Sequence, residues 1–136
     1  MSTLKNIFYK DSKITNVNNT TALANWNTSN VTDMQSVFNN CVNLTDITAL
    51  ANWNVSNVTN MLGMFRSCSN LTNITALANW NVSKVENMNS MFNSCTDLTT
   101  LDMSGWNTGK VTNITYFLTS CPKLTTWRLI IFANLT

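Results

Sequence analysis

The stretch NVSNVTNMLGMFRSCSNLTNITAL, residues 54–77, recurs along the chain with small changes, and its recurrence decides the fold. A tryptophan stands before it. Aligned on that residue, the chain reads Trp26, Trp53, Trp80 and Trp106, at steps of 27, 27 and 26. Cys41, Cys68, Cys95 and Cys121 follow the same ruler, each 15 residues after its tryptophan. So do Val31, Val58, Val85 and Val111; Met34, Met61, Met88 and Ile114; Val37, Met64, Met91 and Phe117; Phe38, Phe65, Phe92 and Leu118; and Leu44, Leu71, Leu98 and Leu124. Columns of one chemical type at a fixed period are the mark of a repeat array, in which each unit buries its apolar residues on its neighbours.

Within one unit, Val58, Met61, Met64, Phe65 and Cys68 fall on one face of a short helix. Thr59 is placed to cap it, and Ser67, Ser69 and Asn70 to end it. A helix of this length needs packing on the next unit to persist. Leu71, Ile74 and Leu77 are spaced by threes, which suggests a short extended segment over 71–76. In the last unit TTLDM reads as a clearer strand, with Leu101 and Met103 inward and the missing residue of the 26-step between them. Counting back by 27 puts Ile7 under Met34, Ile14 under Cys41, Val17 under Leu44, and Lys10 and Asp11 under Val37 and Phe38. The expected organisation is a single domain over 1–136: a degenerate half-repeat cap at 1–22, four repeats at 23–124, and a terminal strand or cap at 125–136.

Charge excludes several functions. Only 10% of residues are charged, against roughly 25% in an average soluble protein, so Asn, Thr and Ser must carry solubility. The net charge of +2 is dispersed, which argues against nucleic acid and against an anionic membrane surface. No apolar run approaches the ~20 residues of a spanning helix. MSTLKNIFYKDSK has no apolar signal stretch, so no signal peptide is visible in this chain. The chain has no histidine and so lacks the commonest general base and metal ligand.

The pattern WN(V/T)SNVTxMxxMFxxCxxLTxL, carried by Trp53, Asn54, Val55, Ser56, Asn57, Val58, Thr59, Met61, Met64, Phe65, Cys68, Leu71 and Thr72, resembles the BspA-type leucine-rich-repeat surface proteins. It is similar in particular to a repeat class first catalogued in mycoplasma surface lipoproteins as a domain of unknown function. The resemblance implies an α/β repeat solenoid: a leucine-rich-repeat-like right-handed coil, with one short helix and one short strand in each unit of 27 residues. It also implies a bacterial surface protein, in some cases an adhesin. Related repeats occur in phage proteins. Asn stands where the family often has Asp, as at Asn54.

Each candidate site competes with the needs of the coil. The cysteines read as buried free thiols, since their wide spacing lacks the close pairs of a zinc site. The tryptophans could form a sugar-binding strip, but edge packing with the indole N–H bonded to backbone is the favoured reading. The threonines at 45, 72, 99 and 125 read as a hydroxyl ladder. Asp46 and Asp102 are not positioned as an acid–base pair. No catalytic residue, metal or cofactor is expected. Contact surfaces are expected where the repeat breaks: at Leu62 and Tyr116, and at the apolar end carrying Trp127, Leu129, Ile131 and Phe132, which is either a cap or a docking edge for assembly. The expected function is a non-enzymatic repeat domain contacting protein or glycan, extracellular or on a bacterial cell surface. The alternative is a structural component of a phage virion.

Overall fold

A computed structural model describes residues 1–17 and 22–128. The chain winds into coils that lie on one another. Parallel bridges join Thr3 to Asp33, Asp33 to Asn60, Asn60 to Asn87 and Asn87 to Asn113, so one point of the backbone returns above itself in each unit. A second line of pairing joins Asn16 to Asp46. It ends in two short parallel strands, β1 (Thr100–Asp102) and β2 (Thr126–Arg128), with Leu101 opposite Trp127.

The segment expected to be a helix is a run of turns instead. In the third coil the N–H groups of Met61, Gly63, Phe65 and Ser67 donate to the carbonyls of Asn87, Asn89, Met91 and Asn93 in the next coil, at 2.7–3.0 Å. The alternate N–H groups of Met64, Arg66 and Cys68 bond back three residues, to Met61, Gly63 and Phe65. Asn60 Oδ1 accepts the N–H of Leu62 at 3.0 Å. Every amide of the segment is therefore satisfied. An α-helix would keep these bonds inside itself and leave nothing to hold the neighbouring coil. Thr59 caps no helix: its N–H and its hydroxyl both donate to Thr32 O of the preceding coil.

The turns closed by the Met64 and Cys68 N–H groups have a left-handed third residue, as type II turns do. Gly63 and Ser67 supply it, at φ 60° and 59°. Ser36 and Asn40, Ser90 and Ser94, and Tyr116 and Ser120 do the same in their coils. Two turns in succession place Met61, Met64, Phe65 and Cys68 inward, each with no exposed surface.

The extended segment expected over 71–76 is no strand either. A 3-10 turn covers Thr75–Leu77, as others cover Ala22–Asn25 and Thr48–Asn52. In the last two units β1 and β2 take that place, and the one-residue deletion falls where the tight turn gives way to straight chain. The first coil is also registered differently from the count by 27. Its pairs are 30 apart, so Leu4 lies under Met34, Phe8 under Phe38 and Val17 under Ile47. By Trp26, which stacks on Trp53, the step is 27 again.

Inside, Phe8, Phe38, Phe65 and Phe92 stack with centroids 5.6, 5.5 and 5.8 Å apart and planes within 15°. Phe117 meets Phe92 edge-on at 85°, because it comes from the neighbouring column and Leu118 fills the phenylalanine place. Outside, asparagine and aspartate side chains hold the corners. The Oδ1 atoms of Asp33, Asn60, Asn87 and Asn113 each accept the N–H two residues on, at 2.9–3.0 Å. Asn27, Asn54, Asn81 and Asn107 act likewise after each tryptophan.

An acceptor oxygen is all this role requires, so Asn87→Asp alone is expected to change stability by less than about 0.5 kcal/mol. Converting Asn60, Asn87 and Asn113 together would align four carboxylates in one bridged column with Asp33. That variant is expected to lose about 1 kcal/mol or more, since like charges directly opposite repel. Urea unfolding at low and high salt checks this: the loss should shrink as salt screens the column.

Candidate functional site

The repeat columns lie inside the stack. Cys41, Cys68 and Cys95 are buried free thiols and Cys121 is half-buried. Each Sγ donates to the carbonyl of the phenylalanine one coil back: Phe8, Phe38, Phe65 and Phe92, at 3.1–3.2 Å. Burial pushes the Cys41 thiol up to about 11 and the Cys95 thiol up to about 12, and raises Cys68 and Cys121. Thiols held neutral in this way are poor nucleophiles. Trp53, Trp80 and Trp106 are also buried, with Nε1–H donated to Leu23, Leu50 and Leu77 O at 2.8–2.9 Å. Trp26 is half-buried and stacks on Trp53 at 6.1 Å. None of Trp53, Trp80 and Trp106 offers a ring face to a sugar. The Thr45, Thr99 and Thr125 hydroxyls donate to carbonyls of the preceding coil, the same oxygens their own N–H groups use.

Tyr116 differs from all of these. Its column otherwise holds Asn6, Ser36, Gly63 and Ser90, every one at positive φ, and Tyr116 has φ 57° as well. A bulky residue there is a conformational outlier. Its side chain is 63% exposed, so burial does not compensate for the strain. Beside it an open groove of about 480 Å³ runs down three coils, lined by Arg66, Asn89, Ser90, Asn93, Tyr116 and Thr119. The lining presents one aromatic ring, one guanidinium, amides and hydroxyls, and no carboxylate. A second groove of about 270 Å³, lined by Thr45, Asp46, Ile47, Thr48, Asn73, Thr75 and Ala76, has neither an aromatic ring nor a cation.

Of the residues expected to break the repeat, Tyr116 forms part of the first groove. Leu62 does not; it is half-buried one coil below Asn89. Trp127 contributes backbone to β2, while Leu129, Ile131 and Phe132 lie outside the described residues. Arg66, Asn89, Asn93 and Thr119 were not apparent as site residues from sequence. The signal that could have found them is their position in the columns flanking the left-handed one. Asp46 lines the second groove without Asp102. Among the described residues there is no cluster of three or more His, Cys, Asp or Glu, and no helix long and apolar enough to cross a membrane.

The chain belongs to the family described as Mycoplasma protein of unknown function, DUF285, whose model matches residues 2–127. No curated protein and no solved structure matches it.

Two outcomes follow from the site geometry. Replacing Tyr116 with glycine removes the left-handed strain and little burial, so Tyr116→Gly is expected to raise stability by about 1 kcal/mol in chemical denaturation. The thiols set an alkaline limit. Their folded values lie above the ordinary 9.0, so the neutral form is favoured by folding. This stability is fully present below pH 9 and is lost as pH rises toward 11 and 12. The loss is up to about 1.4 kcal/mol per pH unit per thiol. The double variant Cys41→Ala, Cys95→Ala should therefore show a shallower fall in stability above pH 9 than the parent chain.

Proposed function

We propose that this chain is a non-enzymatic interaction domain of a bacterial cell surface, built as a right-handed leucine-rich-repeat-like solenoid of the BspA type, that takes a glycan or a protein side-chain cluster in the groove beside Tyr116. The observation that carries this reading is the exposed aromatic residue kept in a left-handed conformation that Asn6, Ser36, Gly63 and Ser90 occupy at the same place in the other coils. Strain that packing does not require points to use.

The lining chemistry supports a polar, hydroxyl-rich ligand. A tyrosine face packs on the apolar side of a sugar ring, and Asn89, Asn93 and Ser90 can each donate and accept. Arg66 adds a planar cation suited to a carboxylate or sulfate, so acidic glycans fit better than basic ones. The non-enzymatic reading is supported by the lack of histidine and by thiols held in the neutral form. Membership of a family described from mycoplasma proteins supports the bacterial setting.

The test is a screen of neutral and acidic glycans and of host surface proteins against the chain and Tyr116→Gly. A ligand whose affinity falls by about tenfold or more in this better-folded variant is expected, since loss of an aromatic contact is worth on the order of 1–3 kcal/mol. A ligand held equally by both chains would sink the assignment of the groove, and a chain that binds none of the probes would sink the function.

A further inference from the structure

Residues 35–40 and their equivalents at 62–67, 89–94 and 115–120 make the turn side of four coils. They read QSVFNN, LGMFRS, NSMFNS and TYFLTS. Arg66 is their single charged residue, as Tyr116 is their single exposed aromatic. The column of Arg66 otherwise holds Asn39, Asn93 and Thr119. Arg66 is exposed, and among the described residues its guanidinium pairs with no carboxylate. The lone charge and the lone exposed ring line the same groove. The amides between them are oriented by serines. Asn89 Oδ1 accepts the Ser90 hydroxyl at 2.6 Å, and Asn93 Oδ1 accepts the Ser94 hydroxyl at 2.8 Å. A separation of 2.6 Å is that of an O–H···O bond, too short for N–H···O. Each of these amides has its oxygen engaged and, among the described residues, its NH2 group unbonded. Asn39, on the second coil, is turned the other way, and its NH2 group donates to Ser36 Oγ at 3.2 Å. The backbone beneath the groove is held as well, since the Asn89 and Asn93 carbonyls accept the N–H groups of Gly63 and Ser67.

We infer that the groove takes an acidic oligosaccharide, with a carboxylate or sulfate on the Arg66 guanidinium and the Asn89 and Asn93 NH2 groups, and a sugar ring against Tyr116. This rests on the groove being the ligand site, as proposed above. The side-chain nitrogens of the lining donate, the two amide oxygens are taken, and no carboxylate is present to accept. An ionised carboxylate or sulfate only accepts, so it matches this set. A guanidinium and a carboxylate also meet through two parallel bonds with charge on both sides. Arg66 and Tyr116 stand two coils apart, about 10 Å at the spacing of parallel strands. That span and a volume of about 480 Å³ fit a short oligosaccharide better than a single sugar. An acidic peptide fits less well. Every peptide unit brings an N–H that needs an acceptor, whereas a sugar hydroxyl can turn to accept from the donors already there.

Isothermal titration of the full chain tests this, with near-ultraviolet circular dichroism to check that each variant is folded. The acidic probes are a hyaluronan oligosaccharide, sialyllactose and a chondroitin sulfate oligosaccharide, which separate carboxylate from sulfate. Chitotetraose and lactose are the neutral probes, and polyglutamate is the acidic peptide. At least one acidic glycan should bind about tenfold or more tightly than the neutral probes, and less tightly at high salt. Arg66→Gln should weaken it by about tenfold or more, the scale of a hydrogen bond to a charged group. Arg66→Lys should keep the salt dependence and recover only part of the affinity, because an ammonium lacks the planar fork. Lys110→Gln removes the same charge outside the groove lining and should change nothing. An absence of binding by every acidic glycan would overturn the inference. So would a neutral probe bound as tightly as the acidic ones, tightest binding by polyglutamate, or an Arg66→Gln loss no larger than that of Lys110→Gln. A neutral glycan lost in Tyr116→Gly but kept in Arg66→Gln would leave the groove as the ligand site and overturn the acidic reading alone. Probes held equally by Tyr116→Gly and the parent chain would remove the groove as the site, and this inference with it.

Discussion

Each amide of the turn side either closes a turn within its coil or donates to the coil that follows, and the rest of the structure depends on this division. Between Met61 and Ser67 the N–H groups at 61, 63, 65 and 67 leave for the next coil, and those at 64 and 66 stay. Because the pattern is strict, consecutive coils cannot slip. A shift by one residue would set turn amides against carbonyls and send Phe65 outward from a column in which rings lie 5.5–5.8 Å apart. The left-handed residues follow from the same division. The turns at each end of this run carry a left-handed third residue, which is Ser, Asn or Gly at most of those places and Lys10 and Tyr116 at two.

The repeat, its period and its interior were legible in the sequence, since burial acts on side chains and side chains are what a sequence records. The local structure was misread for a physical reason. Two successive turns point residues inward in the order in, out, out, in, so Met61, Met64, Phe65 and Cys68 stand at i, i+3, i+4 and i+7. A helix produces the same order. The difference lies in where the amides go, which side-chain periodicity does not encode. A discriminating sign was present in Gly63 and in the polar residue before each cysteine, Asn40, Ser67, Ser94 and Ser120, all weak helix formers. The first coil was misaligned for a different reason. A change of step in one coil cannot be seen by counting at a constant step, and the bridges from Thr3 to Asp33 and from Asn16 to Asp46, each 30 apart, reveal it.

The excess of asparagine has a mechanical origin in the corners. An aspartate serves equally well as the acceptor for the amide two residues on, as Asp33 and Asp46 do. A stack repeats every residue above itself, however, and a column of aspartates would set carboxylates against one another in each coil. Asparagine keeps the acceptor and removes the charge. The departure of this chain from the aspartate-rich pattern it resembles is therefore compatible with an unchanged backbone.

The candidate site was half legible. Tyr116 stood out as a break in a polar column, but its significance rests on φ, which no residue pattern supplies. In a stack of near-identical coils, a residue that recurs is explained by the junction it helps to form. The cysteines, tryptophans and threonines all make such bonds. A residue that does not recur needs another explanation. Tyr116 forms the same turn as Ser36, Gly63 and Ser90, in the same left-handed conformation, with a side chain that is disfavoured there and lies mostly in water. Serine or glycine at 116 would close the turn at lower cost. The junction gains nothing from the ring, and it is on this observation that the proposed ligand groove rests.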